Sequence, residues 1–373
     1  MNRLTLACFA LALTTFPLTA FAGNDDEILI GTQGARLGGA VTATVTDSTA
    51  LWYNPGAIGR TRWAQFGASG TLVNARFTNF TSRGMGPVLN GDFSSTEFAV
   101  IPATLANELP LPNNWALAYG LFTSRASDTK TTDTTGQVIG SSSRRTTNFG
   151  GGVGAPLSST LRLGLSLFGA YETFAGSDFH DGLSAFAALG MQWSPTTDWS
   201  VGLAVQSPRL WLVNVVNSGM GDPEAFSSSA PMRVRLGVAH DFGRVTVSLD
   251  GDVQPALKNS DLFIDRDLVP NGRIGVDYEF DEQTRLGLGA FTDLASASED
   301  SAAVGVDYFG IAGGIETTTR YQLDVNEPAD SIEISAFIGF RYAMGFADVS
   351  TSAGDIEVRS HEIGINLGSG LRF

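Results

Sequence analysis

The chain has 373 residues, 44 of them glycine, with only 16% charged residues and a formal net charge of −15. That balance argues against nucleic acid and anionic surfaces as partners, and it is a low charge content for a surface facing only water. With one cysteine in the whole sequence, no disulfide framework is available.

The chain begins as an export signal. Arg3 supplies a positive end, Leu4 to Leu18 is apolar, and Ala20-Phe21-Ala22 is a small-residue cleavage site, so residues 1–22 are expected to be removed. Cys8 lies inside this run, too close to the start to become a lipid-modified terminus. The mature chain then holds no cysteine. No mature stretch offers the roughly 18 apolar residues that a membrane helix needs.

Residues 23–62 differ from everything after them. Gly31 to Ile58 is rich in small residues, shows no alternation and ends in Trp52-Tyr53-Asn54-Pro55. One irregular segment ahead of a long alternating array predicts an amino-terminal plug, 23–62, inside a β-barrel, 63–373.

Alternation carries the fold assignment. Leu161, Leu163, Leu165 and Leu167 oppose Arg162, Gly164, Ser166 and Phe168. Val245, Val247 and Leu249 oppose Thr246, Ser248 and Asp250, and Ile334, Ile338 and Phe340 oppose Ser335, Phe337, Gly339 and Arg341. A period of two gives each strand one apolar and one polar face. The segments run to about ten residues or more, as tilted membrane strands require. Fourteen are expected, near 63–80, 93–107, 114–126, 145–157, 161–175, 183–194, 199–213, 231–242, 245–256, 272–281, 284–293, 304–319, 331–348 and 357–373. Long links, expected outside the cell, fall near 81–92, 127–144, 214–230, 257–271, 294–303 and 349–356, with a shorter one at 176–182. Short links alternate with them, and only 320–330 is too long for its place. The stretch 128–147 reads as a polar, solvated loop. The fold class is therefore all-β: a transmembrane antiparallel up-and-down barrel with the plug in its lumen. Phe373 closes a final amphipathic strand, a form suited to the outer-membrane assembly machinery.

Gly38-Gly39-Ala40 followed by Asp47-Ser48-Thr49-Ala50-Leu51-Trp52-Tyr53-Asn54-Pro55 resembles the amino-terminal hatch of the FadL family (FadL/TodX type) of outer-membrane long-chain fatty-acid transporters. Gly56-Ala57 reverses the Ala-Gly usual in that motif. The hairpins 191–208, 235–254 and 273–291 resemble that family's strand–turn–strand units. The resemblance implies capture of a hydrophobic ligand outside the cell, passage to a lumenal pocket, a shift of the hatch, and sideways exit through the wall. It places a kink in the third strand, where Gly120 is the one glycine of Trp115–Ala126.

Each candidate residue also has a plain structural reading. Asn54-Pro55 holds either a transport-competent turn or a simple Asx/Pro turn. Trp52 and Tyr53 line a ligand path or pack the plug. Phe168, Phe291 and Phe337 fall on polar faces, which makes an amphipathic lining or a seat for the plug. Arg233 and Arg235 face Asp250 and Asp252 of the next strand, as ordinary lumenal ion pairs or as a head-group site for a carboxylate. His180, His240 and His361 are scattered, and no nucleophile or metal motif is present, so neither an enzyme nor a cofactor is expected. The expected function is passive outer-membrane transport of fatty acids or aromatic hydrocarbons. The alternative is an interaction or shuttle protein of a secretion system, with loop 214–230 as its partner surface. Expected partners are the hydrophobic ligand, outer-membrane lipid and lipopolysaccharide, and the assembly machinery, with the protein a monomer.

Overall fold

The computed structural model describes residues 28–373 except 62, 84–90, 133–134, 176–178, 217–227, 260–263, 296–304, 323–330 and 352–353. The signal segment and residues 23–27 lie outside these.

Strands follow one another in antiparallel order around a closed wall. They are β1 (Gln65–Arg83), β2 (Gly91–Pro110), β3 (Ala116–Thr132), β4 (Val138–Pro156), β5 (Leu161–Ala175), β6 (Phe179–Trp193), β7 (Trp199–Gln206 and Arg209–Val216), β8 (Arg233–Asp241, with an outlying piece Ser228–Ala230), β9 (Val245–Gln254), β10 (Val269–Glu279), β11 (Thr284–Asp293), β12 (Asp307–Gln322), β13 (Ser331–Thr351) and β14 (Gly354–Arg372). The sheet's 16 segments make fourteen barrel strands because β7 and β8 are each interrupted once. β14 closes onto β1 from Asp355 opposite Arg83 to Arg372 opposite Gln65. No described helix is long and apolar enough to cross a membrane. Closure removes the edges that an open sheet would expose to lipid.

The alternation sorts as expected. Leu163, Leu165 and Leu167 are exposed on the outer wall, whereas Ser166 and Phe168 between and beside them are buried. Ile334, Ile338 and Phe340 likewise face out, and Phe337 and Arg341 face in. An outer surface so apolar is the face a bilayer covers.

Strand lengths are uneven. β8 to β11 have 9 to 11 residues, while β13 and β14 have 21 and 19. Three expected loops are corrected by this. The 127–144 link and the polar stretch 128–147 are largely strand, with Asp128 opposite Ser143 and Lys130 opposite Ser141. The 349–356 link is strand up to Thr351 and again from Gly354. Low hydrophobicity marks where the wall leaves the bilayer, while the ladder hydrogen bonds continue into water. The 257–271 link carries a small hairpin of Leu257–Asn259 with Ile264–Arg266. Most of 214–230, and residues 323–330 of the long short-side link, lie outside the described residues.

The amino-terminal segment packs against inward-facing residues around the wall. Helix α1 (Gly31–Arg36) ends at Gly38 and Gly39, both left-handed with φ of 62° and 81°. That conformation needs glycine, and it explains the Gly-Gly pair. Asp47 accepts a hydrogen bond from the Thr49 amide (2.9 Å) ahead of helix α2 (Ala50–Tyr53). Leu37, Val41, Leu51 and Ile58 are fully buried, each contributing about 1.5–3 kcal/mol of apolar burial.

Candidate functional site

Asn54 ties this segment to the wall. Its Oδ1 accepts from the Gly56 amide (3.0 Å), and its Nδ2 lies 2.8 Å from the Thr42 carbonyl, 3.0 Å from that of Met191 and 3.1 Å from Gln192 Oε1. Gln192 returns a bond to the Ala43 carbonyl (2.7 Å). A Cβ at residue 56 would stand 2.7 Å from the Met191 and Gln192 backbone, so the reversed Gly56-Ala57 order serves close approach to β6. On the other side, buried Arg36 bridges Asp277 of β10 (3.0 Å) and Glu316 of β12. Thr42 donates its amide to Asp250 (2.8 Å), and Ser166 donates to the Leu51 carbonyl (3.1 Å).

Trp52 projects from α2 into a group of inward-facing rings. Phe122, Phe168 and Phe186 lie with centroids 5.6, 5.7 and 6.3 Å from it, and Phe168 stacks on Phe186 at 4.8 Å. Above Trp52 is a cavity lined by Ser124, Arg125, Arg144, Thr146, Glu172, Arg209 and Arg233, among others. Arg209 pairs with Glu172, reaches Asn148 (3.3 Å) and lies 5.1 Å over the Phe186 ring. The site is thus aromatic below and mainly cationic above.

Beside the rings, the seam between β2 and β3 is broken. β2 and β3 pair from Ser94 to Glu97 and again from Thr104 to Pro110, but Phe98 to Ala103 has no ladder partner across the seam in Thr123 to Asp128. Two local causes coincide. Pro102 has no amide hydrogen to donate. Ser124 is a bulge residue, skipped between Thr123 and Arg125 in the pairing with β4, and Asn148 Nδ2 fills the bulge by bonding Ser124 Oγ (2.9 Å) and the Phe122 carbonyl (3.1 Å). After the extra residue, Arg125 stands opposite Thr146 and lines the cavity. Ala99, Ile101, Ala103, Phe122 and Ala126 at the break belong to the same apolar cluster as Trp52, Phe168 and Phe186.

The expected residues divide among several places. Trp52 and Phe168 meet in the ring group. Phe291 and Phe337 belong to a second cluster with Leu29, Ala35 and Tyr308, so the three phenylalanines do not form one lining. Tyr53 is buried, and its hydroxyl accepts from the Ile30 amide (3.1 Å). Asn54 and Pro55 are buried against β5 and β6. Arg233 binds Asp252 through two bonds of 2.9 Å at the edge of the cavity. Arg235 instead donates to the Trp52 carbonyl (3.2 Å) and lies 5.8 Å over the Tyr53 ring, which makes it a tether for the segment. Gly120 is paired with Ala106 on one side and Gly150 on the other, and the stretch of β3 that lacks β2 partners begins three residues later, at Thr123. Phe122, Phe186, Arg125 and Arg209 were not singled out from sequence. Pro102 inside an alternating run was the available signal for a broken ladder.

No family model matches the chain, and no curated protein matches it in sequence. Solved structures do match. A FadL homologue of Pseudomonas aeruginosa superposes with a TM-score of 0.66 at 13% identity, covering 94% of this chain and 99% of that one. The P. putida toluene transporter TodX gives 0.61 at 14% identity, with 94% and 99% covered. The Ralstonia pickettii toluene transporter TbuX gives 0.54 at 13%, with 92% and 98% covered. The closed fourteen-strand barrel is the FadL-type fold. At these identities the shared property is the fold.

Proposed function

We propose that this chain is an outer-membrane transporter of hydrophobic small molecules, with the amino-terminal segment as its hatch and the break between β2 and β3 as a lateral exit. The carrying observation is the single apolar cluster that runs from Trp52 through Phe122 to the unpaired edge at Ala99, Ile101 and Ala103. A ligand entering from the long-strand end meets the cavity over Trp52, shifts the rings and the hatch, and leaves down its gradient into lipid. An apolar floor under a polar rim suits the chemistry of both the fatty-acid and aromatic-hydrocarbon classes, and at about 60 Å³ the cavity requires the rings to move before either enters. Two structural neighbours are toluene transporters, which supports the hydrocarbon class as a substrate to test.

The test is uptake of a labelled long-chain fatty acid and, separately, toluene into cells carrying wild type, Phe122→Asp or no barrel. Phe122 is fully buried between Trp52 and the break, so a carboxylate there should reduce uptake at least tenfold while surface-exposed barrel persists. Uptake by wild type no better than by the barrel-free strain, for both ligands, sinks the reading.

A further inference from the structure

A larger cavity lies at the opposite end of the barrel, away from Trp52. It measures about 540 Å³ and opens between the end of the amino-terminal segment (Gly59, Arg60, Thr61) and the β2–β3, β4–β5 and β6–β7 turns. Its two sides differ in chemistry. Leu111, Trp115 and Pro156 form an apolar side, with Trp115 48% exposed. Arg60 and Arg162 face them with the hydroxyls of Ser158, Ser159 and Thr160, and these two arginines are the only charged residues of the lining. That is unusual in a chain with 38 acidic and 23 basic residues.

The positions are fixed by the fold. Arg162 is braced by the Ile58 carbonyl (2.8 Å) and the Asn114 carbonyl (3.4 Å). Arg60 donates to the Ala43 carbonyl (3.2 Å) and to Ser200 Oγ (3.5 Å), and it makes no ion pair among the described residues. The β2–β3 turn holds Asn113 and Asn114 both at φ 61°, and it is closed by a 2.8 Å bond from the Leu111 amide to the Trp115 carbonyl. Asparagine suits left-handed backbone, so the pair makes a tight hairpin turn that fixes Leu111 and Trp115 at the crevice.

We propose that this crevice is a binding site for an amphiphilic carboxylate, its head group held by Arg162 and Arg60 and its apolar part laid against Trp115 and Leu111. Guanidinium groups and hydroxyls suit a carboxylate through charge-assisted bonds. The volume falls within the range of small-ligand sites. The carboxylate has two sources, a free short-chain fatty acid or the carboxyl terminus of a polypeptide with an apolar last residue. The site is separate from the proposed transport path, and its test reads binding alone.

Ser159→Cys places a thiol at the rim in a mature chain expected to hold no other. The maleimide labelling rate of the purified barrel is measured with hexanoate, hexan-1-ol, acetate, and an acetylated Ala-Ala-Phe peptide as free acid or amide. Hexanoate should slow labelling at least threefold, with acetate and hexan-1-ol ineffective at the same concentration. Adding Arg162→Gln or Trp115→Ala should each remove that protection while the unfolding transition stays in place. Protection by the free-acid peptide but not its amide adds the polypeptide source, and protection by hexanoate alone assigns the free amphiphile. No protection by hexanoate, equal protection by hexan-1-ol, or protection that survives both variants overturns the site.

Discussion

Asn54 shows how one side chain can fix a whole segment. It is fully buried, and its amide serves both the segment's own Thr42 and the wall at Met191 and Gln192. Replacing it by alanine leaves buried carbonyls without a donor, at about 1–3 kcal/mol each. Asn54→Ala should therefore lower the unfolding midpoint in detergent, and an unchanged midpoint would show that the segment does not depend on it. Gly164 makes the complementary point, because a Cβ there would fall on the Pro55 carbonyl. Gly164→Ala should cost about 1–3 kcal/mol by overpacking and loosen the same contact from the wall side. Asp47 gives a dependence on pH. Burial holds its carboxyl above the usual range, against opposing hydrogen bonds from Thr49. A raised folded value means that its contribution to stability is complete below the unfolded pKa and is lost as pH rises through the folded one. The difference in melting temperature between wild type and Asp47→Asn should thus change in that window, with wild type relatively more stable on the acid side.

Among the elements, β2 and β3 form the seam proposed above as the exit. β3 pairs with β4 along nearly its whole length, so it is a sound strand with one defective side. The bulge at Ser124 and the missing donor at Pro102 are local and separable causes. Deleting Ser124 removes the extra residue without changing which face Arg125 and its successors present to β4. The seam should then pair further, and uptake of the transported ligand should fall several-fold with the barrel still heat-modifiable. Unchanged uptake would remove the break from the transport path. The ring group adds a reason for its location: Phe122 is the last inward residue before the bulge, so the defect begins where the contact with Trp52 ends.

For the whole molecule, an even number of strands puts both ends of the wall on one side, as the paired Ala64 and Phe373 backbones show. The short turns are on that side, and the long β3–β4 and β13–β14 extensions are on the other. With the termini periplasmic, a cysteine at position 135 should react with an impermeant label in intact cells, whereas one at 196 should react only after permeabilisation; the reverse pattern would invert the barrel. Deleting residues 28–58 removes Arg36, Trp52 and Asn54 together, and single-channel conductance should rise. A deletion barrel that conducts no better than wild type would mean that this segment is not what closes the lumen.

A period of two in hydrophobicity was enough, from sequence alone, to read the strands, their number and which side of each faces lipid, because that pattern is local and every barrel strand repeats it. The Asn54-Pro55 turn was legible for the same reason, since a turn is set by neighbours in the chain, whereas Gly38-Gly39 stood out only through the family resemblance. The tertiary structure decided the rest. Arg235 and Arg233 sit two residues apart on one face, yet one holds Trp52 and the other Asp252, which depends on what stands across the lumen. Phe168 and Phe291 look alike in their strands but join different clusters. The wall break needed a proline in β2 and a bulge in β3 to meet across one seam. Such pairings join residues far apart in the chain, and no local pattern records the register that brings them together.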